Sequence, residues 1–299
     1  MRISNQYNYY PKFTSTYMTT RYHFVSGKDD FYYFYNYKPT IRHTTFLFRN
    51  GEDNFNWPAL AQYIVQKYRN TDKVNIYNYA CSDGSEPYSL AIMLSKYSDD
   101  TDKFFPIIAK DTVKEVMEPA KSGTIYLEED DLKKLHDYTA EDVSKYFTQV
   151  KGYKKTNGNR ILHVDPGDAM QFQINDNLKK CVEFECADIM NDYKNIKPDN
   201  SIVLCRNMWN YLNYDSDRME LAKNLYNRLR KNSIVILGYY DGTIHYEARE
   251  RGGKLTAEEC MQRAGFKRCE VPGLQQVWEK PEQVFEKLKR KSFISRLFK

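Results

Sequence analysis

The chain has 299 residues, of which 41% are hydrophobic, 28% charged and 15% aromatic, with 13 Gly, 10 Pro and a formal net charge of +5. That balance suits a folded chain with one large core or two smaller ones and excludes the fibrous and disordered classes. A mean hydropathy of −0.76, with no apolar run of about 20 residues, excludes a membrane-spanning helix. The opening MRISNQYNYY lacks the apolar stretch of a secretory signal. Cys81, Cys181, Cys186, Cys205, Cys260 and Cys269 form no CxxC pair or zinc spacing and read as reduced thiols of a cytoplasmic protein, with no metal site expected.

Residues 1–42 form an aromatic-rich extension; the first forty contain nine Tyr and four Phe. Tyrosines bury a ring while keeping the hydroxyl wet, so the segment reads either as a clamp over the core or as a contact surface. From Trp57 the pattern becomes an alternation. A helix is expected from Trp57 to Tyr68, a strand from Val74 to Ala80, a helix from Glu86 to Tyr97, a strand from Phe104 to Ala109 and a helix from Thr112 to Lys121. Gly123 ends that helix, and Pro119 inside it predicts a kinked or frayed last turn.

Residues 127–180 read as a small insertion, charged and helical to Phe147, then polar with short strand-like pieces such as Arg160 to Val164. Strands near Val182 to Ala187, Ile202 to Cys205 and Ile234 to Leu237 follow, with a helix from Ser216 to Arg230. Strands and helices in alternation imply crossovers, and so an α/β fold with a doubly wound, mainly parallel sheet. The body through residue 281 is nearly neutral, so no nucleic-acid partner is expected. Residues 282–299 form a basic amphipathic tail in which Lys287, Lys289, Arg290, Lys291, Arg296 and Lys299 outnumber Glu282 and Glu286. That tail suits an anionic membrane surface or an acidic partner, or is a solvated terminus.

In such sheets ligands sit at the carboxyl ends of the strands. The first junction, Tyr79-Ala80-Cys81-Ser82-Asp83-Gly84-Ser85-Glu86-Pro87, joins a strand to a helix through small residues but has no GxGxxG, so a dinucleotide pyrophosphate fits poorly. Glu86 in the first helical turn suits a cationic or zwitterionic ligand instead. The second junction offers Asp111, placed either to cap the helix at Thr112 or to bind ribose hydroxyls. The third, Ile202-Val203-Leu204-Cys205-Arg206-Asn207-Met208-Trp209-Asn210-Tyr211-Leu212, delivers Arg206 from an apolar strand. A buried guanidinium needs a partner, either a ligand or a carboxylate of the fold.

These stretches, with Thr45-Phe46-Leu47-Phe48-Arg49 and Ser122-Gly123-Thr124-Ile125-Tyr126, resemble the CheR-type chemotaxis receptor glutamate methyltransferases, whose blocks read TxFFR, AAxTGEEPYS, SDID with SGxY, and FCRNVxIYF. The resemblance runs in order over roughly residues 43 to 240 of a methyltransferase domain spanning 43–281. It implies a Rossmann-like class I methyltransferase using S-adenosyl-L-methionine to methylate a glutamate carboxylate or related acceptor. The alternative on the same fold is a catalytically weakened, cofactor-binding scaffold. By resemblance, Thr45, Ala80, Gly84, Glu86, Asp111, Asp188, Ile189, Arg206 and Asn207 contact the cofactor, with Glu86 near the methionine ammonium, Asp111 on the ribose, and Asp188 and Ile189 beside the adenine. Arg49, Arg206 and Tyr211 act on the acceptor.

Three departures bear on the acceptor. Relatives carry a basic helical receptor-binding domain where the aromatic extension stands here. Asp83-Gly84-Ser85-Glu86 replaces TGEE, and Gly238-Tyr239-Tyr240-Asp241-Gly242 replaces a glycine-histidine-serine segment. The insertion corresponds to a subdomain that docks receptor tails in some relatives and here reads as a lid. The expected partner is a protein with an exposed carboxylate, a chemoreceptor among the candidates, and the expected location is cytoplasmic, with the tail allowing membrane association.

Overall fold

The structure, a computed structural model, describes residues 47–49, 55–150, 170–212, 214–230, 232–243, 249, 252–270, 273–274 and 276–281. The aromatic extension, Thr45, the strand-like piece at 160–164 and the basic tail lie outside the described residues.

Helix α1 (Trp57–Lys67) starts where the Asn56 side chain accepts the Ala59 N–H, with Pro58 in the first turn. Strand β1 (Asn75–Tyr79) leads through a tight loop into α2 (Ser85–Tyr97), and β2 (Ile107–Asp111) into α3 (Lys114–Ser122). Helix α3 continues past Pro119 and closes at Gly123, whose φ of 93° is the left-handed cap. The expected strand from Phe104 starts instead after Pro106, which has no N–H to give a ladder, and Phe104 packs in the core.

A second, three-stranded antiparallel sheet consists of β3 (Thr124–Leu127), β4 (Phe147–Gln149) and β5 (Met170–Ile174), with β5 in the middle and α4 (Glu129–Thr139) between β3 and β4 in the chain. The chain returns through α5 (Asp176–Lys179), β6 (Val182–Cys186), α6 (Ile189–Asp192), β7 (Ser201–Leu204), α7 (Asp215–Arg228) and β8 (Ile234–Ile236). Three elements not expected from the sequence follow: α8 (Ala257–Ala264), β9 (Lys267–Arg268) and β10 (Val277–Glu279).

The main sheet has seven strands in the order β6-β2-β1-β7-β8-β10-β9. The first five are parallel, and β10 pairs antiparallel with β8 and β9. From β1 the chain steps outward to β2 and β6, then returns to β7 and steps outward the other way. The order therefore reverses between β1 and β7, which is the crevice where such sheets bind ligands.

Strand alternation assigns the two faces. Ile76, Ile107, Ala109, Ile202 and Leu204 face α1, α2 and α3, whereas Tyr77, Tyr79, Val203, Val235 and Trp278 face α7 and α8. The same period sends Asn78, Asp111 and Arg206 to the α2 side and Lys110 to the other.

Candidate active site

The loop between β1 and α2 places three left-handed residues in five: Ala80 at φ 57°, Ser82 at 53° and Gly84 at 86°. Two of them carry a Cβ, and such conformations persist only where the surroundings hold them. Here Asp111, fully buried at the end of β2, does so. One of its oxygens accepts the Ser82 N–H at 2.9 Å, and the other accepts the Val113 N–H at 3.0 Å at the entry to α3. Gly84 has a second reason to be glycine, since a Cβ there would lie 2.7 Å from the Ala120 Cβ and 2.9 Å from the Phe184 ring.

Glu86 and Arg206 meet across this crevice. Arg206 Nη1 donates to Glu86 Oε2 at 2.7 Å, and Asn78 Nδ2 donates to Glu86 Oε1 at 2.7 Å. The Arg206 side chain is fully buried, with its guanidinium 3.8 Å from the Phe55 ring centroid and 5.2 Å from that of Trp57. Of the two partners open to Arg206 in the sequence, the structure supplies the carboxylate of the fold. Each Glu86 oxygen retains a second lone pair, so this pairing does not use up the carboxylate.

Arg49 approaches from residues 47–49, which dock on α2 through the Phe48 N–H to Ser89 Oγ at 2.6 Å. Its carbonyl accepts from Trp57 Nε1 at 3.2 Å and from Arg206 Nη2 at 3.5 Å, and its guanidinium lies 5.8 Å from the Tyr240 ring centroid. Asn207, at φ 54°, follows β7, and half-buried Tyr211 ends the short 3-10 turn Trp209–Tyr211. Asp188 accepts the Met190 N–H at 2.9 Å as the cap of α6, while Ile189 is fully buried among Tyr77, Tyr79 and Val203. The sheet thus gathers Ala80, Gly84, Glu86, Asp111, Asp188, Ile189, Arg206, Asn207 and Tyr211 at the carboxyl ends of β1, β2, β6 and β7, with Arg49 against Arg206.

Sequence reasoning missed three supporting groups. Asn78 is a polar residue inside an otherwise buried strand. Lys110 is 4% exposed and pairs at 2.8 Å with both Asp192 and Glu185; Asp192 also accepts from the Tyr79 hydroxyl. Burial alone would push Lys110 down, but its bonds to the two carboxylates outweigh that and hold it above the ordinary lysine range. This cluster ties α6, and so the Asp188 turn, to β1 and β2.

The third group is Asp241, fully buried in the 3-10 turn Tyr239–Gly242 after β8. Its carboxylate accepts the N–H groups of Asn207 at 2.6 Å, Gly238 at 2.8 Å and Trp209 at 3.0 Å. Burial pushes its pKa up to about 7, against those three donors and the charge of Arg206. The folded carboxyl then keeps its proton where an unfolded aspartate has lost it. Stability accordingly falls as pH rises from about 4 to about 7, by at most about 1.4 kcal/mol per pH unit. Asp241→Ala strips three buried donors of their acceptor, each worth roughly 1–3 kcal/mol. At pH 8 the wild type already bears the cost of a buried charge, so urea unfolding is expected to show a larger deficit for this variant at pH 5 than at pH 8. Equal deficits at the two pH values would contradict the assignment.

A cavity of about 620 Å³ lies elsewhere, on the outer flank of β6 against Tyr88, Lys121, Lys179 and Phe184. None of Gly84, Glu86, Asp111, Arg206, Asn207 and Tyr211 lines it.

Residues 43–251 match the family described as CheR methyltransferase, SAM binding domain. Over 206 residues the chain is 26% identical to the chemotaxis protein methyltransferase of Borreliella burgdorferi, covering 68% of this chain and 65% of that protein. It is 24% identical over 194 residues to the protein of that name in Listeria innocua, covering 64% and 62%, and 22% identical over 206 residues to that of Escherichia coli, covering 69% and 64%. The chain therefore spans somewhat less than two thirds of the length of these relatives. With the family match extending over more than half of its residues and its strand ends carrying the blocks quoted above, the chain belongs to the CheR methyltransferase family.

Proposed function

We propose that the chain is an S-adenosylmethionine-dependent methyltransferase whose acceptor is a carboxylate of a protein, a glutamate side chain. The observation that carries this reading is the gathering of Glu86, Asp111, Arg206 and Asn207 at the reversal of strand order between β1 and β7. The fit to the cofactor rests on two buried hydroxyls there, Ser85 Oγ and Thr112 Oγ1, which have no hydrogen-bond partner in the structure and which a ligand rich in hydroxyl and amino groups would satisfy. Asp111 and Glu86 would hold it by the acceptor positions that their protein partners leave, and Asp188 would lie beside its base, with Ile189, whose side chain is fully buried in the core, reaching it only through its backbone. When bound, the cofactor supplies an electrophilic methyl group.

A carboxylate is a nucleophile without losing a proton, so the protein need not provide a base. It needs to orient the acceptor and exclude water from it. Arg206 is buried and paired with Glu86; the resemblance places Arg49 and Tyr211 at the acceptor, where half-buried Arg49 would form a charge-assisted pair and Tyr211 a hydrogen bond with the carboxylate. The relatives' shared name, chemotaxis protein methyltransferase, supports a protein acceptor. A chemoreceptor is the finer version of that proposal.

Incubation of the purified chain with radiolabelled cofactor and cell lysate is expected to give protein-bound label that is released by mild base, as a methyl ester is. Tyr211→Phe is expected to lower kcat roughly tenfold, about the worth of one hydrogen bond, without changing affinity for S-adenosylhomocysteine. Label that resists base would overturn the carboxylate acceptor.

A further inference from the structure

Beside Arg49 stands an aromatic pair that neither the cofactor nor the carboxylate accounts for. Tyr239 and Tyr240 follow β8 at its carboxyl end, with ring centroids 5.5 Å apart and planes at 81°. Tyr240 packs against the Arg49 guanidinium at 5.8 Å, while Tyr239 is 47% exposed, one of the few large apolar side chains so exposed among the described residues.

The backbone of the pair is anchored. The Tyr240 N–H donates to Asn207 Oδ1 at 3.2 Å, and its carbonyl accepts from Asn210 Nδ2 at 2.6 Å. The flanking Gly238 N–H donates to the Asp241 carboxyl at 2.8 Å, and the Asp241 N–H donates back to the Gly238 carbonyl at 3.2 Å. A cation from the 47–49 segment and an open aromatic face from the β8 loop thus lie beside the β7 loop that carries Asn207 and Tyr211. Because the backbone of this turn is anchored before binding, little of it has to be ordered when a partner arrives.

We infer that Tyr239 and Tyr240 determine acceptor specificity, and that the acceptor is an acidic peptide segment with an aromatic side chain next to the carboxylate that Arg49 engages. An aromatic side chain packs edge to face on an open tyrosine ring, and a carboxylate pairs with the adjacent guanidinium. A peptide with glycine in that place has nothing to set against Tyr239. The expected discrimination is that of one aromatic contact, roughly three- to tenfold in affinity. The inference rests on the proposed function only for what becomes of the carboxylate; the recognition itself is a binding property.

The test uses the full chain and two blocked peptides that differ only in the residue after a single glutamate, phenylalanine or glycine, titrated with and without S-adenosylhomocysteine. The wild type is expected to bind the phenylalanine peptide three- to tenfold more tightly. Tyr239→Ala is expected to bring the ratio close to one, Tyr239→Phe to keep it, and Tyr214→Ala, at another exposed tyrosine, to leave it unchanged. Equal affinity of the wild type for both peptides, no binding of either, or a ratio that survives Tyr239→Ala overturns the inference. Failure of S-adenosylhomocysteine to bind while the peptide ratio persists would count against the proposed function and leave this recognition standing.

Discussion

Replacing Arg206 with methionine is expected to destabilise the protein by about 3–5 kcal/mol, the range for breaking a buried ion pair from one side. The reason lies less in the attraction lost than in what stays behind. Glu86 is 8% exposed, and its remaining partner at the site, the Asn78 amide, cannot neutralise it. Glu86→Met leaves the converse problem, a fully buried guanidinium between Phe55 and Trp57. The double variant Arg206→Met with Glu86→Met removes both charges, so a double-mutant cycle by urea unfolding is expected to return a coupling of at least about 2 kcal/mol. A coupling near zero would mean that the pair is not closed in solution. Loss of a few kcal/mol matters because a domain has only about 5–15 kcal/mol in all.

Gly238→Ala is the other large effect. Gly238 has φ −98°, open to any residue, so backbone strain is not the issue. Its space is. A Cβ there would sit 2.1 Å from Asn207 Oδ1 and 2.6 Å from the Asn207 backbone nitrogen, closer than atoms can approach. A side chain can swing away, but the Asn207 backbone nitrogen is fixed by its bond to Asp241. The loop after β8 has to retreat from the loop after β7, which breaks the bonds of Tyr240 to Asn207 and Asn210. A loss of about 3 kcal/mol or more is expected in urea unfolding, with weakened S-adenosylhomocysteine binding. Gly242→Ala, where the new Cβ would meet Glu258 at an ordinary 3.4 Å, is the matched control and is expected to cost little. Equal stability of the two variants would show that the loops are not packed as described.

How far the sequence was legible depended on element length. Helices α1, α2 and α7 and strands β1, β6, β7 and β8 have enough residues for a period to show, or turn residues at their ends, and each lies within about two residues of its expected place. Strands β9 and β10 have two and three residues and, unlike three-residue β8 in the apolar run Ile234–Leu237, stand in polar sequence, yet they complete the sheet beyond β8. In the insertion, Leu127 to Phe147 was read as helical throughout, and α4 does occupy 129–139. The pairing of β3 with β5, however, joins segments more than forty residues apart, which local pattern cannot show.

The same limit applied to the site. That Arg206 needed a counter-charge was readable from a charged residue ending an apolar strand; that Glu86 supplies it, 120 residues away, was not. Asp111 was left between helix cap and ligand, and it bonds both α3 and the β1 loop. Asp241 carried only the weak signal of an acid just past a buried strand, and its role emerges only when the β7 and β8 loops are side by side.

The crevice between β1 and β7 is expected to hold the adenosyl cofactor. That binding is tested most directly by calorimetric titration of the purified chain with S-adenosylhomocysteine, alongside Asp111→Asn checked by urea unfolding. One site per chain is predicted, with affinity at least tenfold weaker in the variant, roughly the 1.4 kcal/mol or more that a lost charged hydrogen bond represents. No heat of binding at millimolar ligand, from a chain that unfolds cooperatively, would contradict it.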